Sequence, residues 1–130
     1  MTYYKLLTAK NKKLYSHLTN NCRPSVVRYR TGKWTKPKIK NSCLYVFSSL
    51  EALFKFWPMV RKSSYARVYE CEVKNPKYNP IMTWNHYNLI DFWKYPCFNR
   101  IPPTGTIGCD AVKITKRVDI KNYKMYKSYY

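Results

Sequence analysis

Between Arg28 and Lys40 the chain sets cations around aromatic rings: Arg28, Arg30, Lys33, Lys36, Lys38 and Lys40 are interleaved with Tyr29 and Trp34. Such cations neutralise phosphate, and an exposed indole offers a face on which an unpaired base stacks, worth about 1–3 kcal/mol per base. Thr31-Gly32 and Pro37 keep the segment irregular and on the surface, where binding residues concentrate. Arg28, Arg30, Lys33, Trp34, Lys36, Lys38 and Lys40 are therefore the nucleic-acid-binding candidates. The competing reading is a solvated loop with Trp34 folded back into the core. No RNA-recognition, zinc-finger or helix-turn-helix signature accompanies them, so the expected binding mode is largely independent of base sequence.

The whole chain supports the same chemistry. Its 25 Lys+Arg against 6 Asp+Glu give a formal charge of +19, beyond the magnitude of about 2–8 that suffices for solubility of a small domain. Nucleic acid is the commonest polyanion to offset such self-repulsion, through counterion release, with anionic membranes and acidic proteins as the other partner classes. An AT-rich coding sequence would enrich Lys, Asn, Tyr and Ile without selection for binding. It would not make acids scarce.

A catalytic arrangement is the alternative. An Arg on a strand, the turn Phe47-Ser48-Ser49 into a helix and a later Glu70-x-Glu72 follow the order that resembles ADP-ribosyltransferases of the Arg, Ser, Glu type. That resemblance implies Arg28 or Arg30 on NAD phosphate, Ser48 behind the nicotinamide pocket, and Glu72 against an oxocarbenium-like centre. The interval from Ser48 to Glu70 is short for that family, and each residue has a structural reading of its own. Neither His17 nor His86 sits in a sequence arrangement that nominates a triad. The cysteines Cys22, Cys43, Cys71, Cys97 and Cys109 include no C-x-x-C pair, so buried free thiols are expected rather than a zinc site. No G-x-x-x-x-G-K loop is present, and Gly105 and Gly108 read as a turn feeding the last strand. A non-catalytic binder without a cofactor is the favoured expectation, with a small NAD-consuming enzyme as the alternative.

Several elements must position these residues. Tyr3–Thr8 reads as a first strand, followed by a polar loop carrying Lys10, Lys12, Lys13 and Ser16. Ser25–Arg30 reads as a second strand and Cys43–Phe47 as a buried one. Ser48 and Glu51 form an S-x-x-E capping box ahead of a helix from Ser49 to just before Pro58, with Leu50, Leu53, Phe54 and Trp57 on one face. Tyr65–Lys74 alternates, with Tyr69, Cys71 and Val73 opposite Glu70, Glu72 and Lys74, as a half-buried strand does. A short helix is expected over Asn85–Trp93, a loop over Asn99–Gly108 and a last strand over Ala111–Val118. About five strands and two short helices, in no regular βαβ order, make a mixed α+β domain on a mainly antiparallel sheet. Residues 1–120 form this single compact basic domain, and 121–130 a Lys/Tyr-rich tail.

The absence of a cleavable leader pattern at Tyr3–Ala9 favours the cytosol or nucleus. The best apolar stretch, Leu44–Val60, is cut by Glu51, Lys55 and Pro58, so no transmembrane segment is expected. Across most of the chain, Tyr4-Lys5-Leu6-Leu7, Val27-Arg28-Tyr29-Arg30 through Trp34, Leu44 through Ala52, Val68 through Val73, and Gly105-Thr106 leading into Ala111-Val112-Lys113 resemble small uncharacterised proteins of bacteriophages and large DNA viruses. The resemblance implies a viral accessory protein in the cytoplasm or nucleus of an infected cell, or packed in the virion, with a host or virion protein as a further partner. It carries no mechanism.

Overall fold

A computed structural model describes residues 2–16, 27–38, 42–78 and 104–121. Eight strands among them join in one antiparallel sheet: β1 Tyr3–Lys10, β2 Lys13–Ser16, β3 Arg28–Tyr29, β4 Trp34–Thr35, β5 Leu44–Phe47, β6 Ala66–Lys74, β7 Thr106–Cys109 and β8 Ala111–Val118. One α-helix, α1 Leu50–Phe56, and a 3₁₀ helix, Pro58–Lys62, cover part of it. The mixed α+β class with a mainly antiparallel sheet is therefore correct, while the strands are more numerous than expected, β1 running on to Lys10 and β3 shrinking to Arg28–Tyr29. The Asn85–Trp93 helix, both histidines, Cys22, Cys97 and residues 122–130 of the tail lie outside the described residues. No helix among the described residues is long and apolar enough to cross a membrane.

The main path of the sheet runs β3-β2-β1-β6-β8-β4. Its two outermost strands are successive in the chain, joined by a turn in which Lys33 N donates to Arg30 O (3.1 Å) and Gly32 adopts φ +77. The sheet therefore curls until its ends meet across four residues, Arg30 to Lys33. A second branch leaves β1 at Tyr4, which pairs with Phe47 of β5, and β5 pairs with β7. Beyond β6, Lys77 exchanges two backbone hydrogen bonds with Gly108 of β7 (2.6 and 2.9 Å).

Period-two alternation sorts the side chains onto the two faces. Inside the curl lie Tyr3, Leu7, Tyr29, Leu44, Val46, Cys71, Ile107, Cys109, Val112 and Ile114. Outside, Leu6, Phe47, Ala66 and Val68 pack under Leu50, Leu53, Phe54 and Val60 of the helical segment. Burying these two apolar sets, at roughly 25 cal/mol per Å² removed from water, is the main force holding the curl.

Three local expectations are corrected. The polar stretch after Thr8 is a hairpin: Asn11 (φ 52) and Lys12 (φ 63) form its two-residue turn, and Lys10 pairs with Lys13. Positive φ at both central residues suits the right-handed twist of the strands it joins. Thr106–Gly108, expected in a loop, belongs to β7, because β5 supplies its hydrogen-bond partners. The helix cap is Ser49, not Ser48. Ser48 N is committed to Gly105 O (2.9 Å), which keeps Ser48 in line with β5, and the extended Ser49 (φ −152, ψ 162) accepts from Ala52 N at 3.1 Å. Glu51 then sits one residue too early for the reciprocal half of a capping box. Gly105 (φ +90) lies under this junction, where a Cβ would come within 2.5 Å of Ala52 Cβ.

Candidate nucleic-acid interface

The hairpin and the short strand beside it build a row of cations. Lys10 pairs with Lys13, and β2 pairs with β3 as Tyr15↔Arg28 and Leu14↔Tyr29. One further step of that register sets Arg30 beside Lys13, so Lys10, Lys13 and Arg30 stand across three adjacent strand ends. Lys12 in the turn, Arg28 on the outer face of β3 and Lys33 in the next turn flank them, all exposed. Glu51 is the first acidic residue of the chain, and the salt bridges among the described residues involve none of these six cations. Like charges directly opposite one another destabilise a sheet. Here nothing in the described structure offsets them.

The turn from β3 to β4 extends the row. Gly32 N donates to Ile114 O (2.8 Å), which sets the turn against β8 where Thr115, Lys116 and Arg117 are exposed. Beyond it the surface changes character. Trp34 pairs with Lys113, and Lys113 with Glu72, so one cross-strand row holds an indole, an ammonium and a carboxylate. Lys113 Nζ is 3.2 Å from Glu72 Oε2, and the Trp34 ring has Lys74 Nζ at 4.5 Å and Lys113 Nζ at 5.2 Å from its centroid. Trp34 is 39% exposed rather than folded into the core. Its ring is engaged by the protein's own lysines, contacts worth about 0.5–1 kcal/mol each at an exposed site.

The sequence candidates thus divide. Arg28, Arg30 and Lys33 join the unneutralised row, whereas Trp34 belongs to the mixed-charge surface around Glu72. Lys36 and Lys38 are exposed just beyond β4, and Lys40 lies outside the described residues. Pro37 follows a strand end, and no central strand forms here: Trp34 and Thr35 add only a two-residue edge to β8. Lys10 and Lys13, assigned to a loop from sequence, are the residues missed. The signal that would have found them is the spacing Ala9-Lys10-Asn11-Lys12-Lys13-Leu14, two turn residues between short alternating runs.

The Arg, Ser, Glu set is held apart by the same register. Arg28 lies at the level of Thr8, because Tyr15 pairs with both. Ser48 and Glu72 flank the other end of β1, beyond the Tyr4↔Phe47 and Tyr3↔Cys71 pairs. Five residues of strand separate the two levels, roughly 17 Å at about 3.4 Å per residue. Glu72 is also held by Lys113.

A second polar group was not anticipated: Lys5 points into the curl. It is 7% exposed, donates from Nζ to Tyr45 O at 2.7 Å, and lies over the Tyr29 ring at 5.2 Å. Burial pushes its ammonium below the usual lysine range, opposed by the thiols of Cys109, Cys71 and Cys43. Burial also pushes the Cys71 and Cys109 thiols up to about 12, which leaves them protonated and unreactive at neutral pH. Tyr29 Oη is buried without a hydrogen-bond partner. Ser16 is near enough to oppose the upward shift that burial imposes on this phenol. The two do not form a hydrogen bond; Ser16 Oγ accepts from the amide (3.1 Å) and donates to the carbonyl (3.3 Å) of Val27. Cys43, Cys71 and Cys109 are free thiols; Cys71 is buried as expected, and Cys43 is only partly so.

No protein-family model matches the chain, and neither a curated protein nor a solved structure does.

Proposed function

We propose that this protein binds nucleic acid through the phosphate backbone, largely without sequence specificity, using Lys10, Lys13 and Arg30 with Arg28, Lys12 and Lys33 around them. One observation carries the reading: the pairing register stacks like charges across three strand ends and supplies no described acid to offset them. A polyanion relieves that repulsion and gains the entropy of released counterions. The +19 charge of the chain adds long-range attraction. A viral accessory role in an infected cell or a virion rests on the sequence resemblance alone.

The test is a titration of labelled oligonucleotides over a salt series, with a lysine-rich protein of matched charge as control. The logarithm of affinity falls linearly with the logarithm of salt, at about 0.7–0.9 per phosphate neutralised. Replacing Lys10, Lys13 and Arg30 together by Ala lowers that slope by about two to three, and more than the Lys36, Lys38 and Lys40 triple replacement does. Binding no tighter than the control, with a slope that neither triple variant changes, overturns the proposal.

A further inference from the structure

Along the 3₁₀ helix and just before β6 the surface carries exposed apolar and aromatic groups. Tyr65 is 49% exposed and Met59 55%. Trp57, half-buried over the outer core, holds its ring 6.4 Å from that of Tyr65 at an interplanar angle of 43°. The segment that presents Tyr65 is fixed by hydrogen bonds that serve no other element. Ser63 Oγ accepts from the amides of Tyr65 (3.2 Å) and Ala66 (3.1 Å), and Arg67 Nη1 donates to the carbonyls of Ser64 and Ala66 (3.0 Å each). These bonds fix the backbone on either side of Tyr65, and its ring lies beside that of Trp57, so part of the entropy of ordering this segment is already lost before binding.

The position of this platform decides what it meets. Ala9 N donates to Tyr65 O at 2.8 Å, so Tyr65 stands one residue from Lys10, at the end of the sheet where Lys13 and Arg30 also project. Lys62 is exposed at the end of the 3₁₀ helix, and residues 57–69 contain no acid. An exposed tyrosine backed by a half-buried tryptophan, on a strand end whose neighbour carries Lys10, matches a strand whose phosphates and unpaired bases alternate along its length.

We infer that Tyr65, with Trp57 beside it, is a base-stacking platform, and that the ligand of the cationic row is single-stranded nucleic acid. The inference rests on the backbone-binding reading above and narrows it. Duplex DNA presents phosphates to Lys10, Lys13 and Arg30 but no unpaired base to Tyr65, so the two ligands separate the two claims.

The experiment compares a labelled oligothymidylate with a duplex of equal length, bound to the full chain and to Tyr65→Ala, Tyr65→Phe and Lys10→Ala/Lys13→Ala/Arg30→Ala, with thermal melting confirming that each variant is folded. Tyr65→Ala weakens single-strand binding about 5- to 150-fold, the loss of one stacked base, and leaves duplex binding and the salt slope unchanged. Tyr65→Phe keeps the ring and binds as the native protein does. The triple variant loses affinity and slope for both ligands. Equal affinity for single strand and duplex, with Tyr65→Ala indistinguishable from the native chain, overturns the platform and leaves backbone binding standing. Failure of the native chain to bind either ligand better than a protein of matched charge overturns both.

Discussion

Lys5 occupies a place where water does not reach its ammonium, and among the described residues its hydrogen bond goes to Tyr45 O alone. Burying a charged group without a full set of partners is unfavourable, so the folded state favours the neutral amine and its pKa falls below 10.5. Between that lowered value and 10.5 the unfolded chain binds the extra proton, so this residue's contribution to stability grows as pH rises through the window and is lost as pH falls. Cys71 and Cys109 act in the opposite direction. Their folded values near 12 lie above the ordinary 9.0, so the stability they contribute is present below pH 9 and declines from there upward. Replacing Lys5 by Met isolates its share. Lys5→Met is expected to be more stable at pH 7 by about 1–4 kcal/mol, the range seen when buried ionic groups give way to apolar ones. The difference from the native chain should shrink toward pH 10. Denaturant melts of both proteins at several pH values measure it, and a Met variant less stable at every pH would show that the Tyr45 and Tyr29 contacts outweigh burial.

At the scale of elements, a one-residue shift in the helix cap separates a sequence motif from the structure. Ser48-x-x-Glu51 has the form of a capping box, yet Ser48 continues the β5 backbone to Gly105 O and Ser49 caps α1. The two serines therefore respond differently. Ser49→Ala should cost about 1 kcal/mol by leaving the Ala52 amide without its acceptor, and exposed Ser48→Ala should stay within about 0.5 kcal/mol. Urea unfolding resolves the difference, and the reverse order would restore Ser48 as the cap. What sequence made legible at this scale were the long alternations: Tyr65–Lys74 and Ala111–Val118 correspond to β6 and β8, with Tyr69, Cys71 and Val73 turned inward and Glu70, Glu72 and Lys74 outward. Eight or nine residues of period two carry their own signal. The four residues of β2 or β7 do not, and the two of β3 and β4 still less.

Over the whole molecule the charge of +19 opposes compaction, because 6 acids can offset only a minority of 25 cations. Screening should therefore stabilise the fold. The Debye length falls from about 30 Å at 0.01 M salt to about 8 Å at 0.15 M, so Tm is expected to rise over that interval. On the proposed function, an oligonucleotide added at constant ionic strength should raise Tm further, since a ligand bound by the native state alone stabilises it. Scanning calorimetry at matched ionic strengths distinguishes the two effects. A Tm that is flat in salt would mean that the cations are already spaced beyond their mutual repulsion.

The basic charge, the existence of the helix, the long alternating strands β6 and β8 and the mixed α+β class are properties of local composition and periodicity, and the sequence alone determines them. The curl of the sheet is different, because it depends on β4 meeting β8 and β5 meeting β7, pairings between residues about sixty to eighty positions apart. Strands that short exist only through the hydrogen bonds a distant partner supplies. The cationic row has the same origin: Lys10, Lys13 and Arg30 look unremarkable along the chain, and only the register of β1, β2 and β3 brings them side by side, with Tyr65 delivered to the same edge by the Ala9 hydrogen bond. Sequence spacing records which residues share a face of one element. Which elements become neighbours is decided by burial of the two apolar faces, and that is a property of the folded chain as a whole.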